Sequence, residues 1–175
     1  MSQRSGQNEV VFQTPWFKVL EQHPPGFDQP YYTIATVDFV VIVALNEQGQ
    51  LLLVRQFRPA FGGFTLEPPA GHIEPGETPE FAARKELCEE TGHEAGTMEL
   101  LAVLSPSPAR NTNKLWIFFA PDVRPAPRPA HPREVGVECV FHVAGVRTLL
   151  NHPEFVASGG WTSMLAAVAR GKLAL

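Results

Sequence analysis

Apolar residues recur in short runs through the first part of the chain, and this pattern predicts a fold rich in β-strands. Residues 10–22 and 31–45 are predicted strands with a Pro- and Gly-rich turn between them, so we expect an antiparallel ribbon. The second run ends in a near-continuous apolar stretch over 38–45, which is typical of a strand buried on both faces. A turn then leads into residues 50–57, which predicts a hairpin at the core.

The later elements are predicted from the same patterns. Three more strands are expected, at residues 98–105, 114–120 and 138–143. Residues 146–157 and 161–173 are predicted as amphipathic helices, the first interrupted at Pro153. An apolar stripe in the last helix is interpreted as core packing, and it consists of Trp161, Met164, Leu165 and Val168.

Residues 121–133 are predicted as a loop because of their proline content. The segment holds five prolines, and proline can neither donate to the centre of a sheet nor continue a helix interior. We therefore exclude the whole segment from the strands and expect it near the functional site.

A helix with clustered glutamates is predicted in the middle of the chain. Thr78 is its N-cap, Pro79 occupies the first helical position, and Gly92 marks the end. Three carboxylates share one side of this helix, at i, i+3 and i+4, and belong to Glu86, Glu89 and Glu90. An isolated cluster of this kind is usually a solvated surface. Because like charges repel, however, a cation is also expected there, and carboxylate oxygens suit Mg²⁺ or Mn²⁺.

The segment around this helix resembles the signature of the Nudix hydrolases. Residues 71–93 match that signature at seven positions, which are Gly71, Glu77, Glu86, Leu87, Glu89, Glu90 and Gly92. They depart from it at Lys85, where the family has arginine, and at His93, where it has an apolar residue. Because lysine lacks the planar guanidinium fork, we expect a looser pairing with Glu77. Every carboxylate of the signature is present, so the departures do not predict an inactive site.

The resemblance implies an α/β fold, a Nudix-type α/β/α sandwich with a mixed sheet. We assign residues 38–175 to this domain and residues 1–45 to an N-terminal antiparallel β ribbon that leads into it and serves dimerisation. Four residues are implied as metal ligands, with Glu89 in a supporting role: the backbone carbonyl of Ala70 and the side chains of Glu86, Glu89 and Glu90. The implied cofactor is Mg²⁺ or Mn²⁺, and the implied assembly is a homodimer.

A second stretch resembles the branch of the family that includes ADP-ribose pyrophosphatases. That branch carries an Arg-Gln-aromatic-Arg segment, matched by residues 55–58, and a Glu-x-Pro-Ala-Gly entry to the signature, matched by residues 67–71. The resemblance implies that Arg55 and Arg58 contact the diphosphate or, across a dimer, the nucleotide. It also places Glu67 in the substrate site.

Two further residues are candidates for contacting the substrate. Pro108, downstream of the signature, marks the ADP-ribose type in this branch, and Tyr31 in the ribbon is a candidate for stacking on adenine. Simpler explanations exist for each feature. Arg55 and Arg58, which we expect on one face of a strand, could be an exposed pair at a sheet edge. Pro108 could simply end a strand, and Tyr31 could fill a dimer interface.

The catalytic residues implied by the resemblance are glutamates. Glu90 and Glu89 are on the helix, while the general base of this branch is usually carried on an acidic loop, where Glu134 is the best match. The usual acidic run is replaced here by prolines and arginines. Glu138 and Glu89 therefore stay open as alternatives for the base, and His131 is a weaker candidate.

Composition and charge narrow the classes of partner. The chain has 175 residues, 44% of them apolar, which is enough for one compact domain. A net charge of −4 offers no general attraction for nucleic acid. The polar N-terminus does not resemble a signal peptide, and no stretch is long enough to span a membrane. Cys88 and Cys139 are expected as buried thiols, so we expect a cytoplasmic protein.

The predicted function is Mg²⁺-dependent hydrolysis of a nucleoside diphosphate sugar. ADP-ribose, split into AMP and ribose 5-phosphate, is the preferred substrate, and Pro108 carries most of that preference. Alternatives are another nucleotide sugar such as GDP-mannose, or a module that binds nucleotide sugars without cleaving them. An interaction-only scaffold is disfavoured because the chain shows no repeat or added tail.

Overall fold

The chain folds as a mixed β-sheet between helices, preceded by a small separate sheet. A computed structural model describes residues 8–127, 136–142 and 145–175. The strands within these ranges are β1 (Glu9–Gln13), β2 (Lys18–Gln22), β3 (Tyr31–Ala35), β4 (Phe39–Asn46), β5 (Leu51–Arg58), β6 (Gly63–Glu67), β7 (Ala70–His72), β8 (His93–Ala95), β9 (Glu99–Leu104), β10 (Leu115–Pro125) and β11 (Val137–His142). The helices are α1 (Pro79–Thr91), α2 (Gly145–Leu150) and α3 (Ser158–Ala169).

The large sheet has the strand order β11-β5-β4-β10-β8, with β6, β7 and β9 paired to β5, β4 and β10 respectively. β10 runs parallel to β4, whereas β5 and β7 pair with β4 in the antiparallel sense. The sheet is therefore mixed, as predicted. The hairpin predicted at the core is formed by β4 and β5, with Ala44 opposite Leu52.

Two hydrophobic cores lie on the two faces of this sheet. Along β4, Val40 and Ile42 point toward α1, where Leu87 is completely buried. The alternate residues Val41 and Val43 point toward α2 and α3 and pack in a cluster of their own. A strand that contributes to both cores must be apolar at every position, which explains its continuous hydrophobic run. The predicted α/β/α sandwich is confirmed.

The N-terminal ribbon differs in detail from the prediction. Residues 10–22 do not form one strand, because Thr14 makes a turn whose hydroxyl accepts the N–H groups of Trp16 and Phe17. Residues 31–45 are likewise divided, into β3 and β4. The result is a three-stranded antiparallel sheet, β1-β2-β3. Its last strand contacts the body of the protein through Ile34, whose N–H donates to the carbonyl of Arg110.

The prediction of a loop over 121–133 is wrong for its first five residues. β10 continues to Pro125 and pairs with β8, Val123 lying opposite Ala95. The pairing with β4 shifts its register between Ala120 and Val123, and such an irregularity accommodates Pro121 in the strand. Pro121 therefore lies where the pairing shifts register, and the strand continues beyond it.

The predicted stripe on the last helix is correct for only part of its length. Helix α3 begins at Ser158 and buries Gly160, Ser163, Met164 and Ala167, whereas Trp161 and Leu165 are 40% and 46% exposed. The buried face consists mostly of small residues, which a search for large apolar side chains overlooks. Helix α2 is also shorter than predicted, ending at Leu150.

Substitutions on α3 distinguish the buried face from the exposed one. We expect Met164→Ala to lower the free energy of unfolding by about 2–4 kcal/mol, because it leaves a cavity in the core. Leu165→Ala, on the adjacent exposed position, should cost less than about 1 kcal/mol. Urea denaturation followed by circular dichroism measures both. Equal losses in the two variants would contradict this assignment of the buried face.

Candidate active site

Helix α1 is bounded by the residues that the sequence indicated. The Thr78 hydroxyl accepts the N–H of Phe81 at 3.2 Å, and Pro79 occupies the first turn. At the other end Gly92 has φ 73°, and its N–H donates to the Cys88 carbonyl at 2.8 Å. A left-handed residue at this position favours glycine. The predicted caps are confirmed, so the positions of the glutamates on α1 are set locally.

Two carboxylates of α1 meet the short strand β7. Glu90 is only 3% exposed, and its Oε2 accepts the N–H of Ala70 at 2.8 Å. The carboxyl group of Glu86 lies against Gly71: a Cβ at that glycine would come within 2.0 Å of the Glu86 carboxyl carbon. A side chain at residue 71 would displace the end of the Glu86 side chain, so glycine here leaves room for that carboxyl group beside β7.

The turn before α1 is held by Lys85. Its Nζ lies 2.7 Å from Oε1 of Glu77 and 3.4 Å from Oε1 of Glu74, while Glu77 also accepts the N–H of Glu74. Burial lowers the pKa of Lys85, but hydrogen bonding and attraction to the two carboxylates outweigh it, so the pKa is raised overall. Lysine thus makes the contact with Glu77, through a single short ion pair and not a fork.

A cavity of about 650 Å³ opens where α1, β7 and α3 come together. Glu86 and Glu90 line it together with Ala70 and Gly71. Its volume lies within the range of small-molecule sites in proteins. The residues implied as metal ligands are therefore brought to one cavity, except Glu89, which is half-buried on α1 and is not among the lining residues.

Arg58 and Glu67 form an ion pair on the floor of this cavity. The guanidinium donates two hydrogen bonds to the carboxylate, at 2.9 and 2.8 Å, and the Thr65 hydroxyl donates a third. Burial raises the pKa of Glu67, but the hydrogen bonds from Arg58 and Thr65 lower it by more. The pKa of this carboxyl group is therefore below its usual value. Glu67 is therefore a carboxylate that orients Arg58.

Arg55 does not share a face with Arg58, so that expectation is wrong. The two are separated by an odd number of positions on β5, and successive side chains of a strand point to opposite faces. Arg55 makes a fork-like pair with Glu154, with both donor–acceptor distances at 2.7 Å, and stacks 4.1 Å above the ring of Phe64. It is not among the residues that line the cavity.

Tyr31 contacts the turn that contains Pro108, and neither residue lines the cavity. The Tyr31 hydroxyl donates to the carbonyl of Ala109, and the guanidinium of Arg110 lies 4.9 Å from the Tyr31 ring centroid. Pro108 is exposed in the same turn. These contacts join β3 to the loop that precedes β10.

The cavity includes residues that the sequence analysis did not select. They include Phe39, Val41, Gln56, His72 and the start of α3 at Ser158, Gly159 and Gly160. The Gly-Gly pair at the head of the last helix was a detectable signal, since glycine there permits a close approach. Nothing in the apolar pattern distinguished Gln56. Glu134 and His131 lie outside the described residues, and Glu138 is on β11, opposite Arg55.

A model of the NUDIX domain matches residues 36–158, which is well over half of the chain. The chain belongs to the Nudix family. A solved structure of an ADP compounds hydrolase superposes on this Nudix protein with a TM-score of 0.79 and 25% identity, covering 95% of each chain. The fold and the family predicted from the sequence are therefore confirmed.

Relatives of this Nudix protein carry names from the branch that the sequence indicated. It is 33% identical over 84 residues to an ADP-ribose pyrophosphatase of Bacillus subtilis (strain 168), and 41% identical over 86 residues to an ADP-sugar pyrophosphatase of Mus musculus. These matches cover 48% and 45% of this chain. They span only 45% and 39% of the two relatives, less than half of each.

The donor set fits a hard divalent cation only when backbone oxygen is included. No group of three or more His, Cys, Asp or Glu side chains that could hold a metal ion occurs among the described residues. Glu86, Glu90 and Ala70 nevertheless line one cavity, and two carboxylates with a backbone carbonyl would be suitable oxygen ligands.

A helix that spans a membrane must be both long and apolar. Among the described residues, no helix is long and apolar enough to cross a membrane.

The contact of Gly71 with Glu86 can be tested by a double-mutant cycle. Gly71→Ala should lower the free energy of unfolding by about 0.5–1.5 kcal/mol, because the new methyl group displaces the flexible end of the Glu86 side chain. In a Glu86→Ala background the same substitution should cost less. Denaturant unfolding of the four proteins measures the coupling. An identical cost in both backgrounds would contradict the contact.

Proposed function

We propose that this chain hydrolyses the diphosphate linkage of nucleoside diphosphate sugars in a Mg²⁺-dependent reaction, with ADP-ribose as the preferred substrate. The convergence of Glu86, Glu90 and Ala70 on one cavity carries the proposal. The products would be AMP and ribose 5-phosphate. The names of the two relatives support the substrate class, because each names a pyrophosphatase for ADP linked to a sugar.

In this proposal Glu86, Glu90 and the carbonyl of Ala70 hold the cation, with Glu89 in support. Mg²⁺ is preferred, and Mn²⁺ has the same preference for oxygen ligands. A divalent cation, when bound, neutralises charge on a diphosphate and favours deprotonation of water. The burial of Glu90 and its bond from the Ala70 N–H support this role, because they hold the carboxylate in one orientation.

The remaining steps are assigned to side chains of this protein. Water adds its oxygen to one phosphorus, its proton passes to a glutamate, and the phosphate of the other product leaves with the bridging oxygen. Glu134 is proposed as that base, with Glu138 and Glu89 as alternatives. Arg58, oriented by Glu67, is proposed to contact the diphosphate from the cavity floor. Arg55 does not line this cavity, so its proposed role is to contact the nucleotide bound by the partner subunit of a dimer.

We also propose that the chain is a cytoplasmic homodimer joined through the N-terminal ribbon. The apolar surface of that ribbon supports this, since Phe12 and Trp16 are 55% and 77% exposed and every residue of β1 is exposed. Large apolar patches mark interaction sites. In this arrangement residues 1–45 act as the dimerisation ribbon and residues 38–175 as the catalytic domain. Tyr31 and Pro108 would then complete the adenine site beside the partner.

The decisive experiment is incubation with ADP-ribose and Mg²⁺, with the products separated by chromatography. Equal concentrations of ADP-glucose, GDP-mannose and UDP-glucose serve as the comparison. We expect AMP from ADP-ribose at the highest rate. Preference for GDP-mannose would overturn the substrate assignment but keep the chemistry, whereas binding without cleavage would identify a nucleotide-sugar binding module.

The roles of the α1 carboxylates can be tested by isosteric substitution. Glu90→Gln should reduce kcat by about 100-fold or more at saturating Mg²⁺, because the cation loses a charged ligand. Glu80→Gln is a matched control on the same helix, since Glu80 pairs only with Arg84 at the surface in the described structure. Full turnover by Glu90→Gln would refute the assignment.

The proposed dimer makes a separate prediction. Sedimentation velocity should give a mass near twice 19.3 kDa for the wild-type protein. Trp16→Asp should shift it toward the monomer, because a charge in an apolar interface is costly. Phe81→Asp is the control, because Phe81 is also exposed but lies on α1, away from the ribbon. A wild-type monomer, or a Trp16→Asp dimer, would disprove this interface.

A further inference from the structure

A buried carboxamide on the floor of the cavity has no hydrogen-bond partner in the described part of the chain. Gln56 is 9% exposed and lines the cavity, yet its side chain forms no hydrogen bond there. Its neighbours on the same face differ, because Thr65, Arg58 and Glu67 are bonded to one another. The amide opens onto the cavity with its donors and acceptor uncommitted to those residues, so it is placed to hydrogen-bond a ligand there.

The start of α3 opens onto the same cavity. Its N-cap residue, Ala157, is extended, with φ −71° and ψ 126°, and supplies no side-chain hydrogen bond to the helix. The first N–H groups of a helix have no acceptor inside it, and here they belong to Ser158, Gly159 and Gly160. Such a terminus carries partial positive charge and binds anions.

Close packing places this terminus firmly against the cavity wall. A Cβ on Gly160 would lie 3.0 Å from the Phe155 ring and 3.2 Å from Pro68. Gly160 is also buried, so glycine lets the helix start approach the sheet end where the α1 carboxylates stand. One cavity therefore joins a negatively charged group of side chains to a positively polarised helix end.

We propose that the N-terminus of α3 holds the phosphate of the nucleotide sugar that is not attacked, while Gln56 hydrogen-bonds a hydroxyl of the adjoining sugar. This inference rests on the proposed function for the identity of the ligand. A diphosphate has two phosphates, and only one needs to lie beside the α1 carboxylates. A neutral amide with two donors and one acceptor suits a sugar hydroxyl, which can both donate and accept.

Binding of two probes that cannot be hydrolysed separates the two parts of this subsite. Methylene diphosphonate has the paired phosphorus groups without a sugar, and the α,β-methylene analogue of ADP-ribose has both. Isothermal titration calorimetry, with Mg²⁺ present, gives Kd for each. Gln56→Met keeps the approximate shape of the side chain but removes its polar groups. It should raise the Kd of the ADP-ribose analogue about tenfold and leave the Kd of methylene diphosphonate unchanged.

Ser158→Pro deletes one N–H from the helix start without disturbing the fold. Proline is favoured at the first helical position, and the extended Ala157 suits the residue before it. We expect both probes to bind about tenfold more weakly. Ser158→Ala removes the hydroxyl and keeps the N–H. The inference therefore requires the Ser158→Ala protein to bind both probes more tightly than the Ser158→Pro protein does. Thermal unfolding of each variant confirms that the fold is retained.

Ala157→Asp gives a signature that a purely structural role would not produce. An aspartate N-cap should raise the thermal midpoint by about 2–4 °C, because it satisfies the open N–H groups. The same carboxylate should raise the Kd of both probes at least about tenfold, because it occupies the phosphate position and repels the phosphate group. A more stable protein with weaker binding is the expected combination.

The results also distinguish this inference from the proposed function. Wild-type affinity for both probes in Ser158→Pro, Ala157→Asp and Gln56→Met would overturn the subsite, even if ADP-ribose were cleaved. Failure of the wild-type protein to bind methylene diphosphonate would overturn it as well. If the probes respond as expected while no nucleotide sugar is cleaved, the subsite stands and the hydrolytic function falls.

Discussion

The contact between the Glu86 carboxyl group and the bare Cα of Gly71 is the constraint on which the candidate site depends. It lets the Glu86 carboxyl lie directly against β7, and Glu90 secures the same junction by accepting the N–H of Ala70. Because β7 also pairs with the central strand β4, the helix is aligned to the sheet. The two carboxylates and the strand backbone thus reach the cavity as one rigid unit.

Two ion pairs lie beside this junction. Lys85 holds the turn before α1 through Glu77, and Glu67 orients Arg58 on the cavity floor. Buried charges need such partners, since desolvation is otherwise costly. The amide of Gln56 and the open end of α3 are different, because no protein group among the described residues caps or bonds them. The cavity therefore combines a preorganised charged side with a neutral polar side that a ligand can satisfy.

Local signals in the sequence were reliable where the determining contacts are short-range. The helix caps at Thr78 and Gly92 follow from side-chain chemistry and backbone preference over one turn, and both were predicted. Signals that depend on a distant partner were less reliable. Pro121 looked like the end of a strand, but a register shift against β4 accommodates it. The apolar spacing of Leu165 indicated burial, whereas only the sheet decides which face of α3 is covered.

The sequence by itself determined the family, the sandwich of helices on a mixed sheet, and the carboxylate cluster, because a fixed spacing on one helix encodes them. The tertiary structure decided which residues share the cavity. Strand alternation alone places Arg55 and Arg58, three positions apart, on opposite faces, but only the packed structure decides that one face meets Glu154 and the other the cavity. Ser158 is remote from the signature, and only the packing of α3 on the opposite sheet face brings it to Glu86. Spacing along one element is local information, whereas the meeting of two elements depends on how the whole core packs.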